Sequence, residues 1–183
     1  MAARNPWLVV IDMQTIFSID GKWWGVPNFD AIIGPIQQLA AKYGADQTLL
    51  TRFVAGPATG SWGPYYQDFP FANVPPTDPI YDLVAPIAGL TGAENVVTAT
   101  TFSKWDVLQP KTGDYPTLIL TGVATDCCVL STAIAAAEAG AFVTVVMDAC
   151  GGSSAANQAA AQAIFAGYAP LITIASSAEL LSS

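Results

Sequence analysis

Two adjacent cysteines lie between segments of contrasting pattern, and the second of them, Cys128, is a candidate nucleophile. The apolar run 118–121 before it is typical of a buried strand, and the alanine-rich run 130–140 after it is typical of a helix. A cysteine at a strand-to-helix turn lies near the positive end of the helix dipole, where the thiolate form is favoured. The position therefore predicts a sulfur that can attack an electrophile.

Two more residues with acid–base chemistry lie next to predicted strands. Asp12 lies at the end of the apolar run 8–13, and Lys104 lies just past the run 95–101. Because the carboxyl ends of parallel strands meet at one edge of a sheet, we expect both side chains to converge there with Cys128. Each also has an ordinary interpretation, with Asp12 as a loop cap, Lys104 as a surface lysine and Cys128 as a small buried apolar side chain.

Taken together, the three side chains form a coherent set for nucleophilic catalysis. Asp12 can accept the thiol proton, and the Lys104 cation can stabilise the thiolate and orient the carboxylate. Backbone N–H groups at the start of the following helix can bind an oxyanion. This combination predicts acyl transfer to the cysteine followed by hydrolysis.

The chain alternates short β-branched runs with helix-like segments. Strands are predicted over 8–13, 47–53, 95–101, 117–123, 142–148 and 171–175. Helices are predicted over 29–43, 79–89, 126–139 and 154–167. Strands that are apolar almost throughout are covered on both faces, and this alternation is typical of βαβ units. The pattern predicts an α/β fold with a parallel sheet between helices, in one domain over 1–183.

Composition excludes several classes of function. Of 183 residues, 52% are hydrophobic and 11% are charged, and the formal net charge is −8. Six lysines and arginines in total are too few for a basic patch, so no nucleic acid or anionic membrane is expected as a partner. The sequence contains no histidine, which excludes a Ser-His-Asp triad, a Cys-His dyad and a histidine metal site.

The same composition leads to expectations about location and assembly. Three cysteines without a CxxC pair form neither a disulfide framework nor a thiolate zinc site, so a reducing cytoplasm is expected. No uninterrupted stretch of about 18 apolar residues is present, so a membrane span is not expected. A mean hydropathy of +0.44 with so few charges predicts that surface is hidden in a homo-oligomer, either a dimer or a tetramer.

Residues 54–79 differ from the rest of the chain because they combine six prolines and three glycines with several aromatic residues. A long aromatic loop inside a compact domain is more often functional than disordered. We interpret it as a wall or lid over the site, or as part of an interface. Trp62 of this loop, with Phe17 and Phe102, is expected to line a pocket for a small, flat or apolar substrate, with core packing as the alternative for each.

The residues around the three candidates resemble a known family. The segments are Val10-Ile11-Asp12-Met13-Gln14, Thr101-Phe102-Ser103-Lys104 and Gly122-Val123-Ala124-Thr125-Asp126-Cys127-Cys128-Val129. They look like those of the isochorismatase-like cysteine hydrolases, which include nicotinamidases and N-carbamoylsarcosine amidohydrolase. The resemblance covers nearly the whole chain in order and spacing. It implies a three-layer α/β fold with a six-stranded, doubly wound parallel sheet and helices on both faces.

The resemblance also implies catalytic roles. Cys128 is the nucleophile, because the family pattern Thr-Asp/Asn-x-Cys-Val places Cys127 at the variable position. Asp12 is the general base and acid, and Lys104 completes the triad.

The family's cis peptide bond would here join Val123 and Ala124. The resemblance then implies an oxyanion hole formed by the N–H groups of Ala124 and Cys128, with Val123 next to the substrate. Metal-dependent nicotinamidases carry an Asp-x-His-x-His segment after the second strand, whereas the corresponding residues 51–57 contain no histidine. A metal-dependent nicotinamidase is therefore disfavoured, and no metal or cofactor is expected.

The resulting hypothesis is a hydrolase that cleaves a C–N, amide-like bond of a small molecule through a thioester on Cys128. The alternatives are an isochorismatase-type vinyl-ether hydrolase, a non-catalytic binding protein on the same fold, and a redox protein that uses Cys127 and Cys128. Adjacent cysteines form only a strained ring when oxidised, and vinyl-ether chemistry does not need the cysteine. The amide hydrolase is therefore favoured.

Overall fold

Six parallel strands form the centre of the protein. The computed structural model describes residues 5–19 and 22–182. Its strands are β1 (Trp7–Ile11), β2 (Thr48–Phe53), β3 (Val96–Ala99), β4 (Thr117–Val123), β5 (Phe142–Gly151) and β6 (Ile172–Ala175). All neighbours are parallel, and the order across the sheet is β3-β2-β1-β4-β5-β6. The six predicted strands are confirmed, although β5 extends three residues beyond its predicted end.

Helices cover both faces of this sheet. They are α1 (Thr15–Ser18), α2 (Phe29–Tyr43), α3 (Trp62–Asp68), α4 (Ala85–Ala88), α5 (Trp105–Thr112), α6 (Leu130–Glu138), α7 (Ala155–Gly167) and α8 (Ser177–Ser182). Buried residues of α1 to α4 pack with Leu8 and Val10 of β1, and those of α5 to α7 pack with Val9 and Ile11. The predicted three-layer, doubly wound α/β fold is therefore confirmed. None of the helices described here is long and apolar enough to cross a membrane.

The strand order reverses direction between β1 and β4. From β1 the chain continues outward to β2 and β3, and it then returns to place β4 on the other side of β1. Ligands of open parallel sheets bind at such a reversal, beyond the carboxyl ends of the strands. Ile11 pairs with Gly122 in the register of the two strands, so the residues that follow them leave the sheet side by side.

The predicted helix over 79–89 is wrong. The chain instead forms a 3-10 turn at Pro79–Tyr81 and the short helix α4. Both segments begin with a proline at their first or second position, and a proline restricts the residue before it to an extended conformation. The extended residues between them reach back to the end of β1, where the Val84 N–H donates to the Met13 carbonyl at 3.0 Å.

Helices α3 and α5 are not predicted from the sequence, and neither are the short helices α1 and α8. Pro64 lies in α3 and Pro110 in α5, and a proline in an apolar pattern argues against a helix. Packing explains why both form, because Tyr66 of α3 and Leu108 of α5 are buried against the sheet layers.

A close approach of two backbones requires glycine at position 122, near the end of β4. Gly122 has a φ of 102°, and a Cβ atom there would lie 2.1 Å from the carbonyl oxygen of Ile11. Neither the conformation nor the space suits an L side chain. This contact sets how closely β4 lies beside β1 immediately before the residues of the candidate site.

We therefore expect Gly122→Ala to lower the free energy of unfolding by about 2–5 kcal/mol, since it combines left-handed backbone strain with a steric clash. Gly167→Ala is the matched control, because no atom lies within 4 Å of a Cβ at that helical position, and it should be neutral or stabilising by up to about 1 kcal/mol. Urea denaturation of both variants measures the difference. Equal midpoints for the two would contradict the tight contact.

Candidate active site

A buried ion pair connects two of the three candidate residues. Asp12 follows β1 directly, and Lys104 immediately precedes α5. The Lys104 Nζ lies 2.9 Å from the Asp12 Oδ2, and both side chains are 0% exposed. The structure therefore brings these two residues together at the carboxyl edge of the sheet, as predicted.

Hydrogen bonds fix Lys104 at both its ends. Its Nζ also donates to the Thr101 carbonyl at 2.8 Å, and its backbone N–H donates to the Thr132 hydroxyl at 2.9 Å. The same hydroxyl donates to the Cys128 carbonyl at 2.6 Å. Thr132 therefore joins the backbone of the lysine to that of the candidate nucleophile.

Thr51, on β2, orients the carboxylate of Asp12 from the other side. Its hydroxyl donates to the Asp12 Oδ1 at 2.6 Å and accepts the Asp12 backbone N–H at 3.1 Å. One carboxylate oxygen is thus held by Thr51 and the other by Lys104. Sequence reasoning missed Thr51, and its only signal is a polar residue in an apolar strand adjacent to β1.

The third candidate, Cys128, lies in a π-helical turn over Thr125–Val129 between β4 and α6. The Val129 N–H donates to the Ala124 carbonyl at 3.1 Å, five residues back, and this wider turn carries both adjacent cysteines. Cys128 is 2% exposed, whereas Cys127 is half-buried. Such local π turns are frequent at functional sites.

The state of the Cys128 thiol differs from the expectation based on the helix dipole. A hydrogen bond with the Cys127 side chain, burial and the Asp12 carboxylate raise the pKa of Cys128 well above that of an ordinary thiol, while Lys104 acts in the opposite direction. The same hydrogen bond lowers the pKa of Cys127. The hydrogen bond with Cys127, burial and the Asp12 carboxylate thus act against the thiolate form that the helix dipole favours.

The peptide bond between Val123 and Ala124 is cis, as the resemblance implies. Ala124 and Cys128 both line the same cavity. The two N–H groups expected to form an oxyanion hole therefore belong to residues on one surface.

The cavity that contains this surface has a volume of about 310 Å³. Its aromatic wall consists of Phe17, Trp23, Trp24, Tyr65 and Phe102. The rest of its lining consists of Gly25, Ser153 and the turn residues Ala124, Asp126, Cys127 and Cys128. Because Tyr65 belongs to α3, the segment 54–79 contributes to the wall of the cavity.

Four residues were expected to contact substrate, and the structure separates them into two pairs. Phe17 and Phe102 line the cavity. Trp62 lies behind Phe102, edge-on with 5.2 Å between the ring centroids, so it supports the wall instead of forming its surface. Val123 is fully buried in the core, packs towards Gly151 and does not line the cavity.

Sequence reasoning did not select three polar or small residues of the lining, which are Gly25, Asp126 and Ser153. Asp126 lies within the motif around Cys128, but its motif position gives no indication that it faces the cavity. As for metals, residues 5–19 and 22–182 contain no group of three or more Cys, Asp or Glu side chains that could hold an ion.

Comparisons with known proteins agree with this fold. Residues 6–176 match the family model of the isochorismatase domain. A search of curated proteins finds no match.

Among solved structures, the chain is similar to a cysteine hydrolase from Pseudomonas syringae, with 21% identity, a TM-score of 0.81, and coverage of 97% of this chain and 91% of that one. It is similar to an isochorismatase family protein from Desulfovibrio vulgaris, with 23% identity, a TM-score of 0.75, and coverage of 97% and 96%. These two similarities concern the fold. A pyrazinamidase/nicotinamidase from Streptococcus mutans is 26% identical, with a TM-score of 0.72 and coverage of 93% and 99%.

The ion pair leads to a stability prediction. Lys104→Met should lower the free energy of unfolding by about 3–5 kcal/mol, because it leaves the Asp12 carboxylate buried without its cation. The double variant Lys104→Met/Asp12→Asn should recover at least about 1 kcal/mol of this loss, since it removes both charges. Urea denaturation of the single and double variants tests this coupling. A single variant within about 1 kcal/mol of the parent protein would argue against a buried charged pair.

A second prediction concerns Thr51. Thr51→Val should cost about 1–3 kcal/mol of unfolding free energy, because the Asp12 Oδ1 and N–H both lose their partner. Thr51→Ser keeps the hydroxyl and should cost only about 0.8 kcal/mol for the lost methyl group. Equal losses in the two variants, measured by urea denaturation, would mean that the hydroxyl does not hold the carboxylate.

Proposed function

The chain belongs to the isochorismatase family of hydrolases, and from this premise we propose that it cleaves a C–N, amide-like bond of a small molecule through a thioester on Cys128. The observation that carries the proposal is the buried Asp12–Lys104 ion pair, which acts on a cysteine at the lining of an aromatic cavity. A buried ion pair is a weak source of stability, so its presence beside a thiol favours a chemical role.

In the first step, the Cys128 sulfur attacks the carbonyl carbon of the substrate while Asp12 accepts the thiol proton. The raised pKa of Cys128 fits a transfer of the thiol proton to Asp12 as the sulfur attacks. The carbonyl oxygen becomes an oxyanion, which the N–H groups of Ala124 and Cys128 stabilise. Each donor of this kind contributes about 3–4 kcal/mol to catalysis.

In the second step, the tetrahedral intermediate collapses. Asp12 returns its proton to the nitrogen of the leaving group, the C–N bond breaks, and the acyl group remains on Cys128 as a thioester. Water then attacks the thioester carbonyl while Asp12 accepts a proton from it. The C–S bond breaks, the acid product leaves, and the proton returns to the Cys128 sulfur, so that the resting state is restored.

Lys104 has an electrostatic role in this scheme. Its ammonium group lies against Asp12 at 2.9 Å and opposes the effects that raise the pKa of Cys128, so it stabilises the developing thiolate. Because its Nζ also donates to the Thr101 carbonyl, the charge is held in one place and does not reorganise during the reaction.

Two further proposals concern assembly and location. We propose that the chain forms a homo-oligomer, and the exposed side chains of Tyr115, Phe142 and Leu171 support this, because they lie at the starts of the neighbouring strands β4, β5 and β6. A cytoplasmic location remains a prediction from the three free cysteines.

The proposal is tested by hydrolysis of a panel of small carboxamides, carbamoyl compounds and imides, measured as loss of the substrate and formation of the acid product. Cys128→Ala should lower the rate by at least about a thousandfold, because it removes the nucleophile. Cys150→Ala is the matched control, since Cys150 is buried in β5 outside the cavity lining, and it should retain activity.

Mass spectrometry of a quenched reaction should detect the acyl group on the peptide that contains Cys128. Turnover of an amide without any acyl-enzyme, and undiminished in Cys128→Ala, would contradict the thioester and favour direct attack of water on the substrate. Absence of turnover on the entire panel, with tight binding of one compound, would favour a binding protein.

A further inference from the structure

The described lining of the cavity carries formal charge of one sign only, which is negative. Asp126 is the single ionisable carboxylate in its lining, and no lysine or arginine lines it among the described residues. The sequence contains no histidine. Lys104 adds no net charge beside the thiol, because its ammonium is paired with Asp12 at 2.9 Å.

We propose that the site selects its substrate by charge, accepting an uncharged or cationic amide and rejecting an anionic one, with Asp126 as the specificity-determining residue. This inference rests on the proposed function, because it concerns the substrate of the same cysteine. It goes further by excluding substrates that carry a carboxylate, sulfonate or phosphate group.

Neutral groups hold the Asp126 carboxylate in place. Its Oδ1 accepts the Ser153 N–H at 2.8 Å, and its Oδ2 accepts the Ser153 hydroxyl at 2.6 Å. The Ser153 hydroxyl in turn accepts from the Asn157 side-chain amide at 2.8 Å. These donors fix the position of the carboxylate and bring no opposite charge, so its negative field reaches the cavity.

The aromatic wall acts in the same direction as Asp126. The faces of Trp, Tyr and Phe rings carry partial negative charge and attract cations. Trp23 of this wall already receives one, since the Lys22 Nζ lies 4.0 Å from its ring centroid. An anionic substrate group that does not reach the N–H groups of Ala124 and Cys128 would lose water and face a carboxylate and the ring faces in exchange.

Lys22 carries a positive charge that opposes the negative field of Asp126. Its side chain is exposed, so water and salt screen its charge, and it is outside the cavity lining. Its field is therefore weaker inside the cavity than that of Asp126. The overall net charge of −8 adds a further long-range repulsion of anions at low ionic strength.

Three methanethiosulfonate reagents of similar size test the proposal without a known substrate. One carries a hydroxyethyl group, one a trimethylammonium group and one a sulfonate group. All proteins in the test carry Cys127→Ser, so that Cys128 is the only cysteine of the lining. Mass spectrometry measures the rate at which each reagent modifies Cys128. This rate is divided by the rate for the same chain unfolded in urea, because the division cancels the intrinsic reactivity of each reagent.

We expect the sulfonate reagent to react at least about tenfold more slowly than the neutral reagent in this normalised comparison, and the trimethylammonium reagent at least as fast as the neutral one. Asp126→Asn should reduce the difference between cation and anion by at least about fivefold. Lys22→Gln should change it by less than about twofold.

The matched control for Asp126→Asn is Asp148→Asn. Asp148 accepts the N–H and the hydroxyl of Ser177 at 2.7 and 2.5 Å, which reproduces the hydrogen bonding of Asp126, but it does not line the cavity. Asp148→Asn therefore removes the same charge from the same kind of motif. It should leave the ratio of the cation and anion modification rates within about twofold of the parent value. Equal effects of the two variants would overturn the role of Asp126.

The outcomes also separate this inference from the proposed function. Fast modification of Cys128 by all three reagents at equal normalised rates would overturn the charge selection and leave the nucleophile intact. A sulfonate reagent faster than the neutral one would overturn it as well, and would assign the field to Lys22 or to the helix terminus. Failure of every reagent to modify Cys128 would overturn both proposals.

Discussion

The ion pair between Asp12 and Lys104 constrains the rest of the structure. Both side chains are completely buried, and moving two charges out of water costs several kcal/mol per ion unless their partners are well placed. The elements that supply those partners must therefore keep a fixed relative position: β2 supplies the Thr51 hydroxyl, the segment after β3 supplies the Thr101 carbonyl, and α6 supplies Thr132. A fold selected for stability alone would place apolar side chains here, so this arrangement is best explained by the chemistry of the adjacent thiol.

The topology of the sheet determines where that chemistry takes place. Because the strand order reverses between β1 and β4, the ends of these two strands border an open crevice. Asp12 leaves β1 on one side of it, and the cis bond between Val123 and Ala124 begins the turn on the other. Gly122 allows the two backbones to approach more closely than any side chain would permit. The π-helical turn that follows then carries Cys128 to the same edge of the sheet as Asp12, although more than a hundred residues separate the two in the sequence.

Local patterns in the sequence predict the strands, because nearly continuous apolar runs are typical of buried parallel strands. They also predict the convergence of the candidate residues, because the carboxyl ends of parallel strands meet at one edge of the sheet. Properties that depend on tertiary packing are not predicted. Helices α3 and α5 contain prolines and form through burial of Tyr66 and Leu108. The pKa of Cys128 is raised by its hydrogen bond with Cys127, by burial and by the Asp12 carboxylate, whereas the sequence shows only the helix terminus. The roles of Thr51 and Asp126 depend on contacts across the fold, and nothing in their own sequence neighbourhood distinguishes them.

The residues proposed to catalyse the reaction and most of the aromatic wall lie on different elements. Asp12, Lys104 and Cys128 are fixed at the sheet edge, whereas the aromatic wall is carried by α1 and the residues after it, by α3, and by the segment between β3 and α5. Size and shape of the substrate can therefore change through the wall without disturbing the ion pair. The preference for substrate charge differs from the preferences for size and shape, because Asp126 belongs to the turn that carries Cys128. Under the proposed charge selection, a substitution of Asp126 alters that turn, so the preferred substrate charge is coupled to the proposed nucleophile more tightly than the preferred substrate shape is.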